Sequence, residues 1–277
     1  MGQAKSKPAR PEPSAPATPP KGTLSILREW TDALVIAFLL AMFIRTFVVE
    51  LFKIPSGSMT PTLVGTGFNP FGQPEERVIE WDVNKDGEKD LILDRNHNRY
   101  PRYHVFFRKN GKFVGNEEFA TLNLPLEAIR SARIRNDRIV VNKFIFWFRR
   151  PHRGEIVVFR VPFGPPKWQR DKPIYIKRLV GLPGETLEIR QPHVYINGQL
   201  LDRPEVFQRT EYTNAFDFRS ATVPPLSYLV LGDNSKNSMD SRDWGTVPAN
   251  NIKGLAVLRY WPVDTIALLH RESGPSK

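Results

Sequence analysis

The apolar residues of this chain are most concentrated in one run near its start. Residues 33–44 contain no charged side chain, and the apolar character resumes after Arg45 and continues to Val49. Such a run is just long enough to cross a bilayer as a helix, with Asp32 at one interface and Arg45 able to extend to the other. Because no small residues follow the run, we predict an uncleaved transmembrane anchor over residues 29–50. A helix buried in a globular core is the alternative.

The segment before this run contains little that could be buried. Residues 1–22 are rich in Pro, Ala, Ser and Lys, which predicts a disordered tail that we extend over residues 1–28. The basic side chains of this tail are Lys5, Lys7, Arg10, Lys21 and Arg28. Only Lys53 follows closely after the run, so the positive-inside rule predicts a cytoplasmic amino terminus and an extracytoplasmic position for the rest of the chain.

The pattern changes to short runs of β-branched residues from Asp137 onward. These runs, bounded by turn residues, predict strands at 138–143, 155–161, 173–180, 186–190, 193–196, 227–231 and 255–260. Strands this short, with no clear helix among them, predict a mostly β domain with a mixed sheet or barrel over residues 51–270. We predict that residues 68–136 form an irregular, turn-rich insertion in this domain and that residues 271–277 form a tail.

Composition narrows the chemistry that this domain can perform. The 277 residues include no cysteine, which excludes thiol catalysis, disulfides, iron–sulfur clusters and cysteine-based zinc sites. The formal net charge of +11 is typical of proteins that meet nucleic acid or anionic lipid headgroups. Beside a membrane segment and without a base-reading motif, this charge favours a bilayer with anionic headgroups as the partner and disfavours nucleic acid.

An acidic loop within the predicted insertion has two interpretations. In residues 82–90, oxygen-bearing side chains alternate around Gly87, as they do in a calcium loop. An EF-hand would also need a Glu at the end of its loop, and here Asp90 would have to close the site instead. An Asp-Gly turn with solvated charges is the alternative, and the residues alone leave both interpretations open.

A Ser-Gly-Ser sequence lies just beyond the predicted anchor. Two flanking prolines restrict their own φ and favour extended geometry in the residues before them, while Gly57 permits a turn between Ser56 and Ser58. Segment 54–63 is therefore predicted to be stiff and to present one hydroxyl at a defined point. An ordinary Ser/Gly/Pro loop is the alternative.

A lysine within an apolar predicted strand is the second candidate for chemistry. At an ordinary pKa near 10.4, only about one lysine in 2,500 is neutral at pH 7, but burial can lower that pKa by several units. A neutral Lys177 beside a serine hydroxyl could accept its proton and make the serine a nucleophile. The alternative is a strand-edge lysine that points into solvent.

A polar loop at residues 232–242 is the third candidate. It is either a surface turn or a support for the lysine.

Taken together, these motifs resemble those of the bacterial type I signal peptidases, membrane-anchored serine proteases with a Ser–Lys dyad that remove signal peptides from exported proteins. The resemblance is carried by segments 54–63, 137–143, 154–159, 175–185, 232–242, 244–248 and 261–262. These motifs occur in family order after an anchor, and together they are highly specific.

The resemblance implies a role for each matched polar residue. Ser58 would be the nucleophile and Lys177 its general base, while Ser56 and the Ser58 N–H would form an oxyanion hole. Ser238 would orient the lysine. Structural support for that loop would come from Asp240 and Arg242.

The resemblance also implies the substrate and the location. Shallow apolar pockets would accept small residues at the first and third positions before the cut (Ala-x-Ala), and they would be formed by Ile54, Pro55, Met59, Leu63, Tyr175 and Ile176. A preprotein signal peptide would bind extended, as an added strand, with no cofactor and no metal. The protein would be a single-pass protein of the bacterial inner membrane with an extracytoplasmic catalytic domain.

Two departures from the family pattern leave the dyad untouched. The segment 68–136 is much longer than the usual connection, and Ser235-Lys236 stands where many members have an arginine and an acidic residue. Self-cleaving repressors share the dyad, but they need a DNA-binding domain where this chain has its anchor. A non-enzymatic binding module would require a broken dyad, and other hydrolase classes lack their G-x-S-x-G or H-E-x-x-H motif here.

The residues Phe144-Ile145-Phe146-Trp147-Phe148 precede two arginines. We hypothesise that these aromatic side chains enter the headgroup region of the bilayer while the arginines meet phosphate. A strand buried on both faces is the alternative.

Overall fold

The computed structural model of the chain describes residues 23–67, 76–95, 102–162, 173–213, 218 and 220–269. Most of the predicted tail at 1–28 and the whole predicted tail at 271–277 lie outside the described residues. The chain divides into two compact units, residues 1–44 and 45–277.

The first unit contains one long apolar helix. Helix α1 extends over Thr23–Phe43, and side chains such as Leu34 and Phe38 are more than half exposed. Segment Ile26–Val48 has a mean hydropathy of 2.0 with none of it buried, and it is the one helical segment in the described part of the chain that is long and apolar enough to cross a membrane. A helix with an apolar surface on all sides is typical of a membrane span.

The predicted anchor at residues 29–50 differs from the structure at both ends. The helix begins earlier, at Thr23, and a π-helical turn at Ile44–Val48 follows it. Val49–Lys53 is a strand that pairs with another strand in the second unit. Backbone pairing therefore overrides the apolar character that predicted a helix through Val49.

The second unit is built from short strands. In chain order they are β1 (Val49–Lys53), β2 (Glu76–Trp81), β3 (Asp90–Arg95), β4 (Tyr103–Lys109), β5 (Lys112–Phe119), β6 (Arg138–Asn142), β7 (Ile156–Arg160), β8 (Ile174–Gly181), β9 (Thr186–Arg190), β10 (His193–Ile196), β11 (Gln199–Leu200), β12 (Ser220–Thr222), β13 (Ser227–Leu231), β14 (Val247–Pro248), β15 (Ile252–Trp261) and β16 (Ala267–Leu268). The short helices are α2 (Leu126–Arg130), α3 (Val206–Arg209) and α4 (Ser241–Trp244).

These strands form three antiparallel sheets. The main sheet has eight strands in the order β1-β6-β15-β7-β8-β13-β14, with β16 beside β15. A second sheet has the order β11-β10-β9-β12, and a third has the order β2-β3-β4-β5. The mostly β fold that the sequence predicts is confirmed, and each of the seven predicted strands is present with its ends shifted by at most three residues.

The prediction that residues 68–136 are irregular is wrong. Strands β2 to β5 and helix α2 lie within this range, and we call strands β2 to β5 the inserted sheet. Its core contains Ile79, Ile92 and Val105. Polar residues of the strands are buried in ion pairs, as when the Asp94 carboxylate accepts a hydrogen bond of 2.9 Å from Arg102 Nε. Because these ion pairs bury polar side chains in the sheet, the sequence of the sheet is polar. The strands could therefore not be recognised from their composition.

The inserted sheet leaves and rejoins the rest of the unit at adjacent points. Gly65 and Asn136 form an isolated antiparallel bridge. Beside it, the Asp137 N–H donates to the Val64 carbonyl at 2.8 Å, and the Val64 N–H donates to the Asp137 carboxylate at 2.9 Å. The ends of the insertion are thereby fixed a few residues from the Ser-Gly-Ser segment.

The acidic loop at residues 82–90 connects β2 to β3 as a turn. Asp82 Oδ2 accepts a hydrogen bond from the Gly87 N–H at 2.9 Å, and the Asp90 carboxylate is fully buried, where it accepts bonds from the N–H groups of Val83 and Arg108. Among the described residues, no group of three His, Cys, Asp or Glu side chains converges as a metal site would require. The geometry supports the turn interpretation over the calcium loop, because Asp90 faces the sheet.

Candidate active site

The Ser-Gly-Ser segment is extended through Ser56 and then turns. Ser56 has φ −132° and ψ 159°, and a single turn of 3₁₀ helix follows at Gly57–Met59. The segment is held on both sides: the Ile54 N–H donates to the Asp137 carbonyl at 2.8 Å, and the Gly67 N–H donates to the Pro55 carbonyl at 2.7 Å. Ser58 is 8% exposed on this turn, whereas Ser56 is exposed.

Lys177 reaches this turn from strand β8. Its backbone pairs with Val157 of β7, and the side chain is buried, with Nζ 2.6 Å from Ser58 Oγ. The same nitrogen lies 5.5 Å from the centre of the Tyr175 ring. The structure therefore brings together the two side chains that the sequence singles out for chemistry.

Burial changes the acidity of this lysine. Desolvation lowers the pKa of Lys177 from 10.5 to about 8, and the negative charges of Asp240 and Asp233 oppose that change. With a pKa near 8, about a tenth of the lysine side chains are neutral at pH 7. A neutral amine at hydrogen-bonding distance from a hydroxyl can remove its proton.

The loop at residues 232–242 is fixed by a buried ion pair. Arg242 donates to both carboxylate oxygens of Asp240, from Nε and from Nη2, at 2.8 Å each. Asp240 also caps helix α4 in a capping box with Asp243. It accepts a further hydrogen bond of 2.9 Å from the Gly232 N–H. The loop is therefore rigid where it approaches the lysine.

Ser238 is bonded to this carboxylate and not to the lysine. Its hydroxyl donates to Asp240 Oδ2 at 2.7 Å, and among the hydrogen bonds of the described residues none joins Ser238 to Lys177. The orientation of Lys177 by Ser238 therefore stays a prediction. Ser238 is linked to the lysine through Asp240, whose charge raises the pKa of Lys177.

Sequence reasoning missed the residues that join the serine turn to the sheet and to the loop. The fully buried Arg178 donates to both carboxylate oxygens of Asp233, at 2.8 and 2.6 Å. Asn234 donates from its side chain to the Gly57 carbonyl at 3.1 Å and from its N–H to the Ser58 carbonyl at 3.0 Å. Two features of the sequence could have identified these residues. One is the arginine directly after Lys177, and the other is the Gly-Asp-Asn sequence at the start of the loop.

The residues expected to bind substrate fall into two groups. Pro55, Tyr175 and Ile176 line a cleft of about 380 Å³ together with Ser56, Ser58 and Lys177. Ile54, Met59 and Leu63 are instead buried with at most 2% exposed, and they pack in the core beneath the cleft. The cleft is also lined by residues that the sequence did not suggest, namely Gly57, Thr66, Gly67, Glu76, Ile174, Asn237 and Met239.

Strand β8 pairs with different strands along its length. Strand β7 pairs with β8 from Ile174 to Arg178. Strand β13, on the other side of β8, pairs with it only from Arg178 to Gly181. Strand β13 therefore begins to pair with β8 just beyond the part of β8 that lines the cleft.

Comparisons of this chain with known proteins all indicate the same family. The sequence profile described as "Signal peptidase, peptidase S26" matches residues 27–69 and 117–261. The chain is 41% identical over 134 residues to "Probable signal peptidase I-2" of Synechocystis sp., a match that covers 48% of this chain and 59% of that protein. It is 40% identical over 148 residues to "Signal peptidase I" of Leptolyngbya laminosa, covering 53% of this chain and 70% of that protein.

A solved structure also matches. It is the crystal structure of a signal peptidase I from Enterococcus faecalis V583, with a TM-score of 0.30 and 34% identity over 39% of this chain and 98% of that chain. The profile match leaves out residues 70–116, which contain β2, β3, β4 and most of β5. The inserted sheet is thus the part of the second unit that lies largely outside the family match.

Proposed function

The chain belongs to the signal peptidase family, peptidase S26, and from this premise we propose that it is a membrane-anchored serine endopeptidase that cleaves signal peptides from exported preproteins. The observation that carries the proposal is the contact of 2.6 Å between Lys177 Nζ and Ser58 Oγ at a buried position. The lowered pKa of Lys177, near 8, makes its neutral form accessible at neutral pH.

The chemistry follows from this pair. The neutral amine of Lys177 accepts the hydroxyl proton while Ser58 Oγ forms a bond to the carbonyl carbon of the scissile peptide. An electron pair moves to the carbonyl oxygen, which accepts hydrogen bonds from the Ser58 N–H and from the hydroxyl of Ser56, whose Oγ lies 3.5 Å from Ser58 Oγ. Such donors typically contribute about 3 kcal/mol to the transition state.

Proton return completes the cycle. As the C–N bond breaks, the ammonium of Lys177 gives its proton to the departing amine and becomes neutral again. The Lys177 amine then takes a proton from a water molecule, which attacks the carbonyl carbon of the acyl-enzyme ester. As the bond between that carbon and Ser58 Oγ breaks, Lys177 gives this proton to Ser58 Oγ, and the product is released as a carboxylic acid. In this scheme Asp240, braced by Arg242 and bonded to Ser238, sets the charge around the base.

The position of β8 in the wall of the cleft supports an extended mode of substrate binding. The backbone of a preprotein can lie extended alongside β8 and place its scissile bond at Ser58. Tyr175, Ile176 and Pro55 then border the side chains before the cut. Their size leaves shallow apolar spaces, which favours small residues of the Ala-x-Ala type. Ile54, Met59 and Leu63 would shape these spaces from beneath.

The proposed location follows from the charge pattern. The apolar helix with a basic tail before it supports an anchor in the bacterial inner membrane, with the amino terminus in the cytoplasm. The catalytic unit would then lie outside the cytoplasm, against anionic headgroups and away from nucleic acid.

Cleavage of a preprotein in detergent tests the proposal. The full chain is incubated with a preprotein that has Ala-x-Ala before its processing site, beside the variants Ser58→Ala and Lys177→Ala. Each variant should lose at least about 10⁴-fold in rate, while Ser220→Ala, at an exposed position, should cleave normally. Full cleavage by either dyad variant would overturn the assignment.

A further inference from the structure

A second cavity, of about 420 Å³, has the inserted sheet as one of its walls. Strands β4 and β5 of that sheet contribute Arg108 and Phe113, and helix α3 contributes Arg209. Among the described residues, none that lines the cleft beside Ser58 also lines this cavity. Its volume is within the range of known small-molecule sites.

The charged side chains that line this cavity include more bases than acids. The described bases are Arg108, Lys112, Arg135, Arg209 and Arg259, and the acids are Glu80, Asp233 and Asp264. Each acid is already in an ion pair with an arginine: Glu80 with Arg135, Asp233 with Arg178, and Asp264 with Arg133. Arg135 and Arg259 also contact a further acid, Asp137. The acids of the lining therefore do not neutralise its other bases.

Two of these bases have no carboxylate partner within the described part of the chain. The Arg108 guanidinium lies over the Phe113 ring, 4.8 Å from its centre, and its Nε is buried without a hydrogen-bond partner there. Arg209 Nε makes one long contact, of 3.4 Å, with the carbonyl oxygen of Glu205. Because a guanidinium has five N–H donors, both side chains retain donors that a ligand can accept.

The two arginines lie near an ion pair that joins β5 to α3. Lys112 Nζ is 2.5 Å from Glu205 Oε2. Phe113, which lies under Arg108, directly follows Lys112, and Arg209 is four residues after Glu205. The hydrogen bond from Lys112 and the charges of Lys112 and Arg209 lower the pKa of Glu205. This part of the wall therefore holds three cations against one carboxylate.

We propose that this cavity binds a small phosphorylated ligand, whose phosphate oxygens accept hydrogen bonds from Arg108 and Arg209. The planar guanidinium matches phosphate with two parallel N–H donors. Phe106 and Val206, which also line the cavity, provide contact for an apolar part of the ligand. A soluble diphosphate and a lipid headgroup share this chemistry. The proposal does not rest on the peptidase function, because the cavity and the cleft have separate linings.

Pyrophosphate is the probe for a soluble ligand, with the full chain in a non-ionic detergent. Calorimetric titration should give a micromolar Kd for the wild type. Arg108→Gln and Arg209→Gln should each raise that Kd about tenfold, equivalent to about 1.4 kcal/mol. Arg160→Gln removes an exposed arginine of β7 that does not line the cavity, and it should bind pyrophosphate as the wild type does.

Two further measurements support the titration. Saturating pyrophosphate should raise the melting temperature of the wild type more than sodium chloride of equal ionic strength, which needs no variant to fold. Phosphatidic acid mixed into the micelles is the probe for a lipid headgroup. Displacement of pyrophosphate by this lipid and not by phosphatidylcholine would assign the site to a headgroup, whereas binding without displacement would assign it to a soluble ligand.

The opposite results are equally clear. Failure of the wild type to bind either probe contradicts the proposal, as does binding that both arginine variants retain in full. Equal weakening in Arg160→Gln also contradicts it, because the effect would then come from net charge alone. Arg209 is only half-buried, so Arg209→Gln tests the site even if Arg108→Gln does not fold.

Discussion

Lys177 Nζ and Ser58 Oγ lie 2.6 Å apart although their residues are 119 positions apart in the chain. The lysine is 3% exposed, so the contact is formed where a charged amine is poorly solvated. An ammonium that loses hydration in this way gives up its proton more readily. The contact therefore places a candidate base directly beside a candidate nucleophile.

The activity of the proposed peptidase should rise with pH toward the pKa of this lysine. Because burial lowers that pKa to about 8, kcat/KM should increase about tenfold per pH unit below this value and level off above it. A profile measured with an Ala-x-Ala peptide checks the prediction. A flat profile from pH 6 to 9 would show that the lysine is not the group that limits the rate.

The free energy of unfolding should also depend on pH through Lys177. Below about pH 8 Lys177 is protonated in both states, and the folded state carries the full cost of burying its charge. The pKa of Lys177 is about 8 in the folded state and 10.5 in the unfolded chain. Between these two pH values the unfolded chain binds more protons, so the free energy of unfolding rises with pH. The expected rise from this group is on the order of 3 kcal/mol.

Lys177→Met isolates that contribution. Its free energy of unfolding in urea should exceed that of the wild type most below pH 8, and the two curves should converge as pH approaches 10.5. Lys236→Met, at an exposed lysine, serves as the matched control and should follow the wild type. Parallel curves for Lys177→Met and the wild type would contradict the lowered pKa.

Close backbone packing should make Gly65 essential for the serine segment. A Cβ at this position would lie 2.5 Å from the Ile54 carbonyl oxygen and 2.6 Å from the Ser56 nitrogen, and backbone atoms cannot move aside as a flexible side chain can. Gly65→Ala should displace the segment and lower kcat about 100-fold, as misplacement by an ångström does. Gly115→Ala is the control, because nothing lies within 4 Å of its Cβ. Equal activity of the two variants would refute the prediction.

The buried pair of Arg178 and Asp233 should be costly to break from one side. Arg178 is fully buried and Asp233 is 6% exposed, so Arg178→Met leaves a carboxylate in the interior and should lower the free energy of unfolding by about 3–5 kcal/mol. Arg190→Met, which breaks an exposed pair with Glu188, should cost less than about 1 kcal/mol. Urea unfolding measures both. Restoration in the double variant Arg178→Met, Asp233→Leu would confirm that the unpaired charge is the cause.

The strands of the main sheet could be predicted because their local pattern agrees with their environment. The run from Ile156 to Phe159 is apolar in sequence and buried in the structure. Strands β2 to β4 could not be predicted in the same way. Glu76, Asp94 and His104 are buried there with partners on neighbouring strands, and pairing between distant residues leaves no local signal.

The same distinction holds for the candidate site. Ser58 and Lys177 lie in motifs that can be found by residue type and order. Asn234 contacts Gly57 across 177 positions, and Glu76 reaches the cleft only because the inserted sheet folds back beside Gly65. Such contributions depend on tertiary contacts, so neither residue could be assigned from its neighbours in the sequence.

The aromatic segment before Arg149 provides a final test, on membrane contact. It is a 3₁₀ turn at Ile145–Trp147 and not a strand, and Trp147 and Phe148 are 66% and 72% exposed. The alternative of burial on both faces is therefore wrong for these two residues. Phe146, in contrast, packs against a core cluster.

Exposed aromatic side chains next to arginines favour the headgroup region of a bilayer. In a protein limited to residues 45–277, which form a compact unit, Trp147→Ser combined with Phe148→Ser should weaken binding to vesicles of anionic lipid about tenfold or more without changing the melting temperature. Phe146→Ser should instead lower the melting temperature, because it removes apolar contacts with that core cluster. Sedimentation with vesicles and thermal unfolding measure the two effects. Unchanged vesicle binding by the double variant would show that this turn does not contact the membrane.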